Sequence, residues 1–197
     1  MTRLRFPQVG AVTSGRWCSA ALKIDVLDAV IRAQGRFLHS RTLVVTGERA
    51  EESRARAGYA AFERHRTDTR DGSRRPRWVD HWRPVHAWRS ADVWAALRRW
   101  GVLPAPAYRL GFGRLSCLAC IFGSADQWAT VRWLAPDLFR CIAAYEGRFG
   151  CTIQRGRTIT ELADHGRPFA AALALPGLAR RAMQPGWDEP VLAPSDL

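Results

Sequence analysis

RTLVVTG, residues 41–47, is the stretch that most narrows the choice of fold. It is short, rich in β-branched side chains and stopped by a glycine, the pattern of a buried strand. Before it, over 20–34, Leu22, Val26, Leu27, Val30 and Ile31 recur at helical spacing, with Gly35 placed to end the helix. After it, 48–66 reads as a second helix, acidic at its start and basic at its end, as the macrodipole favours. Residues 66–77 are polar with Gly and Pro and read as an exposed loop. WVDHWRPVHAW, 78–88, reads as an irregular strand broken at Pro84, and Ser90 as the N-cap of a short helix ending at Gly101. Strand, helix, loop, strand, helix is an α/β order, and in parallel sheets the loops after the strands meet the ligand. The loop leaving Gly47 is therefore the expected ligand-facing loop.

The remainder reads as a Pro/Gly loop over 103–113, one or two helices over 124–150 broken near Pro136, and a small helix over 159–166. From Pro185 the chain has few apolar anchors and reads as a loose tail; no internal repeat is found. Hydrophobic residues make up 47%, with nine Trp and eight Phe, enough to core one domain with a small extension. No apolar run approaches the roughly 18–20 residues of a membrane span. The first residues lack the apolar centre of a secretory signal. A soluble cytoplasmic protein with no membrane partner is the expectation. The net charge is +12, yet Lys23 is the only lysine and the arginines are spread along the chain. Such a charge suits nucleic acid, an anionic small molecule or an acidic partner surface alike.

Five cysteines, an odd number in a chain read as cytosolic, argue against a disulfide framework and for metal or redox chemistry. In GRLSCLACIFGS, Cys117 and Cys120 can chelate one metal ion, hold two corners of a cluster or act as a redox dithiol. The plainer reading is two small buried hydrophobes. Gly113, Arg114 and Gly123 suit a turn around a ligand. Cys18, in a loop before a helix, is the best third ligand, because backbone N–H groups there favour a thiolate. Cys151 follows a turn at Gly150 and is either a fourth ligand or a bystander; Cys141, in LFRCIAAY, reads as core. Around Gly47, Arg49, Arg54 and Arg56 either build an anion site near a helix start or form Glu–Arg pairs on a solvated helix. Trp88 and Trp94 suit a core, and His86 suits packing. His81 could ligate a metal, but nothing nearby in sequence pairs with it.

Taken in order, four stretches resemble the phosphoadenosine phosphosulfate (PAPS) reductase family of the PP-loop ATP pyrophosphatase superfamily. The likeness is greatest to phage and mobile-element members and to DNA-sulfur-modification sulfurtransferases. RWCSAALK carries Cys18 and Lys23 where the family has a cysteine–lysine segment. TGERAEESRAR resembles its G-x-R-x-x-[EQ]-S-x-x-R segment through Gly47, Arg49, Glu52, Ser53 and Arg56. WRPVHAWRSADVW supplies Pro84, Trp88, Asp92 and Trp94, and YRLGFGRLSCLACIFGS supplies the Y-x-x-G-x-x-R-x-x-C-x-x-C pattern. The resemblance runs from about Arg16 to about Ser124.

The resemblance implies an α/β fold: a partial adenine-nucleotide alpha-hydrolase-like (PP-loop) parallel sheet with flanking helices and a helical C-terminal part. It implies a ligand that is an adenine nucleotide (PAPS, APS or ATP), with Arg49, Ser53 and Arg56, and also Lys23 and Arg114, on its anionic groups. It implies a [4Fe-4S] cluster on Cys18, Cys117 and Cys120, which then has three protein ligands or recruits Cys151 or Cys141; zinc is the alternative metal. The family's S-G-G-x-[DS]-S phosphate loop is missing here, so either a longer reading or a partner supplies that half or the reaction has been lost; an electron or sulfur donor is a further expected partner. The expected division is a PAPS-reductase-like portion over 1–124, a helical extension over 125–184 and a tail over 185–197. The expected activity is reduction of an adenylylated sulfate, or ATP-dependent activation with sulfur transfer. The rivals are a zinc-stabilised nucleic-acid-binding module and a non-catalytic subunit completed by a partner.

Overall fold

The computed structural model describes residues 4–9, 15–72, 74–184, 186 and 190–193. They form two compact units, Ser19–Gly101 and Met1–Cys18 with Val102–Leu197. The boundary at Gly101 falls inside the stretch expected as a single portion over 1–124.

The Ser19–Gly101 unit carries the sheet. Its strands β1 (Arg41–Val45), β2 (Phe62–Arg64) and β3 (Trp78–Trp82) lie in the order β1-β3-β2, with β1 parallel and β2 antiparallel to β3. The α/β class is as expected, in a small mixed sheet. Pleating puts Val44, His81 and Glu63 on one face by cross-strand pairing, and Val45, Trp82 and Phe62 on the other. The first face is the covered one: Val79 is fully buried and His81 nearly so. The second is open, with Leu43, Val45, Phe62 and Trp82 exposed.

Helical turns run from α1 (Trp17–Ser19) through a π-helical Ala20–Ile24 into α2 (Asp25–Ala33). The expected apolar stripe there is mostly uncovered. Ile31 is buried, whereas Leu22, Val26 and Leu27 are exposed. Besides Ile31, polar contacts tie α2 down: Asp28 accepts Arg66 Nε at 2.7 Å in an ion pair, and the Arg32 carbonyl accepts a hydrogen bond from Arg77 at 2.7 Å.

The helix expected over 48–66 is replaced by a 3-10 turn at Ala50–Glu52, a four-residue α3 (Arg54–Ala57) and then β2. Ser53 breaks it. Its backbone is extended (φ −170°, ψ 156°) and its hydroxyl accepts Arg56 N–H at 3.2 Å, so it caps a new helix. β3 ends before Pro84, and α4 (Ser90–Arg99) follows, one residue earlier than a Ser90 cap would give, with Asp92 accepting Arg89 N–H at 2.8 Å. Trp88, expected in the core, is exposed.

The other unit is helical: α5 (Pro106–Arg109), α6 (Ala125–Leu134), α7 (Pro136–Phe149), α8 (Ile159–His165), α9 (Ala170–Ala174) and α10 (Pro176–Ala182). The break expected near Pro136 is there, with the proline opening α7. Ile121, Trp128, Val131, Phe139, Ile153 and Ile159 form its main core. Buried Glu146 is satisfied by Ile153 N–H at 2.9 Å and Ile159 N–H at 3.0 Å, one on each oxygen. Cys141, read as core, lies on the exposed side of α7, because Phe139 and Ile142 take the buried side. The tail from 185 falls largely outside the described residues, but Leu192 bridges to Val102. Among the described residues no helix is long and apolar enough to cross a membrane.

Candidate functional site

β1 and β3 run parallel, so both deliver their C-terminal ends to one edge of the sheet. There a closed ring of hydrogen bonds forms. Arg83 Nε donates to Glu48 at 2.7 Å, and an Arg83 terminal nitrogen lies 3.1 Å from His81 Nδ1. A guanidinium only donates, so His81 Nδ1 accepts and the ring proton is on Nε2. That Nε2–H meets Thr46 Oγ1 at 2.8 Å, and Thr46 donates onward to Glu48 at 3.2 Å. Arg83 also binds Glu63 at 2.8 Å and the Ala60 carbonyl at 2.7 Å. Burial pushes the Glu48 carboxyl up, but Arg83 outweighs it and the group sits below its usual range. Burial, then the Arg83 charge, holds His81 below its ordinary value, so it is neutral at pH 7.

The ring fixes the start of the Gly47–Arg56 loop, and residues 86–90 clamp the rest. Ala50 N–H donates to the His86 carbonyl at 2.8 Å, and His86 Nε2 donates to the Arg56 carbonyl at 2.8 Å. His86 thus packs as expected. Arg49 donates to Ser90 Oγ at 3.0 Å and pairs with Glu51 and Glu52; Arg56 pairs with Glu52. The Ser90 hydroxyl, with its backbone N–H and Arg49, holds the Glu51 carboxyl below its usual range. The structure therefore gathers Arg49, Ser53 and Arg56 on one clamped loop, with carboxylates as resident counter-ions. Lys23 lines a cleft of about 590 Å³ on the covered side of the sheet, with Thr46, Glu48, His65, His81 and Arg83.

The cysteine turn belongs to the other unit. Cys117 and Cys120 flank the turn residues Leu118 and Ala119, so their Cα atoms stand within about 7 Å. A second turn follows, Gly123 N–H to the Cys120 carbonyl at 2.8 Å. Two side-chain amides pin this loop. Gln127 donates to the Leu118 carbonyl at 2.8 Å, and Gln154 to the carbonyls of Ile121 at 3.0 Å and Gly123 at 2.6 Å. Gly123 is closely packed, since an added Cβ would meet the Cys120 carbonyl at 3.0 Å and Trp128 Nε1 at 3.1 Å. Cys117 is exposed and Cys120 half-buried, so the pair is not a buried hydrophobic one. Arg114 lies over the Phe122 ring, 5.4 Å from its centroid. Cys18 and Cys151 are half-buried free thiols in the same unit. Among the described residues no three His, Cys, Asp or Glu side chains come together as a metal-binding group. Two thiolates are too few to fit a four-ligand cluster or a closed zinc site.

With this geometry in place, comparison with known proteins identifies the fold's relatives. The sequence profile of the phosphoadenosine phosphosulfate reductase domain matches residues 11–122, more than half of the chain. The chain belongs to the PAPS reductase domain family. The matched stretch holds the clamped Gly47–Arg56 loop and ends two residues past Cys120. An uncharacterized 37.8 kDa protein of Escherichia phage 186 is 29% identical over 160 residues, which cover 80% of this chain and 44% of that protein. The chain thus spans less than half the length of the curated relative it matches. No solved structure matches.

Sequence reasoning singled out Arg49, Ser53, Arg56 and the cysteine pair as candidates but missed the residues that hold them in place. Arg83 was detectable as the single charge in the otherwise apolar WRPV run. The His81–Thr46 contact joins residues 35 apart and is visible only through the β1–β3 register. Gln127 and Gln154 carried no local signal.

Proposed function

We propose that this chain is the anion-gripping part of an enzyme that works on an adenylylated sulfate or an ATP-activated substrate. It either reduces the adenylylated sulfate with electrons from a donor partner, or lets a sulfur donor attack the ATP-activated group as the nucleotide leaves. The observation that carries this reading is the Gly47–Arg56 loop: two guanidinium groups and a serine cap, clamped at the ligand-facing end of parallel strands. Glu51 and Glu52 keep Arg49 and Arg56 extended, and a sulfate or phosphate exchanges for those carboxylates with better bidentate geometry. Fixed guanidinium groups then favour negative charge that builds on the departing sulfate or phosphate. Family membership supports an adenine nucleotide as the carrier of that anion. A phosphate-cradling loop from a longer chain or a partner protein would complete the site. No step here runs through a metal or cluster.

Isothermal titration with adenosine 3′-phosphate 5′-phosphosulfate tests the reading. Arg49→Ala and Arg56→Ala should each weaken binding about tenfold or more, as loss of a charged hydrogen bond does. Equal affinity in wild type and both variants would remove the loop from the site. Assaying sulfite release against sulfur transfer to an added acceptor separates the two reactions.

A further inference from the structure

Beyond the end of α7 the chain turns back on itself. Gln154 and Arg157 form an antiparallel bridge, and Arg155 and Gly156 make the tip between them, with Gly156 at φ +80°. Gln154 anchors the tip, because its side-chain amide donates to the carbonyls of Ile121 and Gly123. Arg155 is exposed and has no hydrogen-bond or ion-pair partner among the described residues. It lines two clefts of the helical unit at once. The larger, about 700 Å³, is walled by Ala143 and Gly147 of α7 and by Gly150, Gly156 and Thr160. The smaller, about 390 Å³, is walled by Val9, Ile121 and Phe122. Among the described lining residues only Glu146 is acidic, and its two oxygens are taken by the Ile153 and Ile159 N–H groups. Gly147, Gly150 and Gly156 have open space where a Cβ would stand, so a ligand chain can lie close against their backbone. Phe122 is 40% exposed, and the Arg114 guanidinium lies over its ring. A free guanidinium beside an exposed aromatic ring in a groove suits single-stranded nucleic acid, with a phosphate on the cation and a base on the ring. A base inside a duplex has no free face for Phe122, and an acidic peptide has no flat group to place there. The net charge of +12 favours a polyanion. Apart from Ile121 and Phe122, the lining lies outside residues 11–122, the stretch that the family profile matches.

We propose that the two clefts joined at Arg155 form a groove for single-stranded nucleic acid, with Arg155 donating to a backbone phosphate and a base stacked on the Phe122 face opposite Arg114. The groove belongs to the helical unit, whereas the Gly47–Arg56 loop belongs to the other. It stands or falls independently of the adenine-nucleotide reading.

The test is fluorescence anisotropy of a labelled oligothymidylate of about 12 nucleotides, titrated with the full chain over a series of salt concentrations. Affinity should fall as salt rises. Arg155→Gln should weaken binding about fivefold or more and make the log–log salt slope shallower by about 0.7, the share of one single-strand phosphate. Phe122→Leu keeps an apolar side chain and removes the ring; it should weaken binding about fivefold or more and leave the slope unchanged. Arg140→Gln, which removes an exposed charge paired with Asp137, should bind as wild type does. A duplex of the same length and polyglutamate should displace the strand only at much higher concentration. Wild type that does not bind at low salt overturns the groove, and so does Arg155→Gln with wild-type affinity. An equal loss in Arg155→Gln and Arg140→Gln marks diffuse charge and overturns it too, as does duplex or polyglutamate that competes as well as the strand itself. If Phe122→Leu does not fold, photocross-linking of an iodouracil-substituted strand to wild type decides. Cross-links should map to Phe122, and cross-links confined to other peptides overturn the proposal.

Discussion

Asp68 shows how much one residue outside the site does to hold it. It lies in the connection between β2 and β3 and accepts Arg70 Nε at 2.7 Å, Arg70 N–H at 3.2 Å and Val79 N–H at 2.7 Å. Burial pushes its carboxyl up, but the Arg70 side chain and the two backbone N–H groups outweigh that and bring it to about 2 from 3.8. A carboxyl with a lowered pKa in the folded state adds stability that is full above its unfolded value and fades as pH falls through the folded one. Asp68→Asn should therefore cost about 1–2 kcal/mol at pH 7, with the penalty roughly halved at pH 3, as urea melts at the two pH values will show. The histidines work in the opposite range. Burial, then the Arg66 charge at His65 and the Arg83 charge at His81, holds both below the ordinary 6.5. Their neutral packing is fully favourable above that value and is lost as pH drops below it. The thermal midpoint of wild type should fall between pH 7.5 and 5, and fall less in His81→Gln.

At the scale of elements, close approach of two helix ends sets the strictest limit. The Gly166 turn after α8 lies against the start of α6: a Cβ on Gly166 would stand 2.2 Å from the Ala125 carbonyl carbon and 2.6 Å from Asp126 N. These atoms are backbone and cannot swing aside. Gly166→Ala should lower stability by about 2 kcal/mol or more, whereas Gly35→Ala, with nothing within 4 Å, should stay within about 0.5 kcal/mol. Chemical denaturation of the pair measures the contrast. The same scale explains the misread 48–66 segment. Its charge gradient suited a helix, but the Ser53 cap and the antiparallel pairing of Phe62–Arg64 with β3 divided it.

At the scale of the molecule, burial is uneven. The Ser19–Gly101 unit buries Ile31 and Val79 as apolar residues and fills much of the rest of its interior with Asp28, His65, Thr67, His81 and Arg83. Val79→Ala should cost about 2 kcal/mol, while Leu43→Ala on the open face should change little. Cys117 and Cys120 share a turn, and the iron, acid-labile sulfide and zinc content of anaerobically purified protein reads what they hold. About four iron and four sulfide per chain, lost in Cys117→Ser, would show that Cys18 or Cys151 joins the pair in the working protein.

The sequence by itself determined what local chemistry can write. β1 followed from its β-branched run, the α6–α7 break from Pro136, the end of β1 from Gly47, and the thiol turn from Cys117-x-x-Cys120. Each depends on residues a few positions apart. The tertiary structure decided what depends on distant partners. The β1–β3 register brought His81 to Thr46 and Arg83 to Glu48, the β2–β3 pairing put His65 in the cleft wall, and Gln127 and Gln154 gripped the thiol turn from outside it. It also left Leu22, Val26 and Leu27 uncovered, because burial of an apolar stripe depends on a surface opposite it and not on the stripe's own spacing.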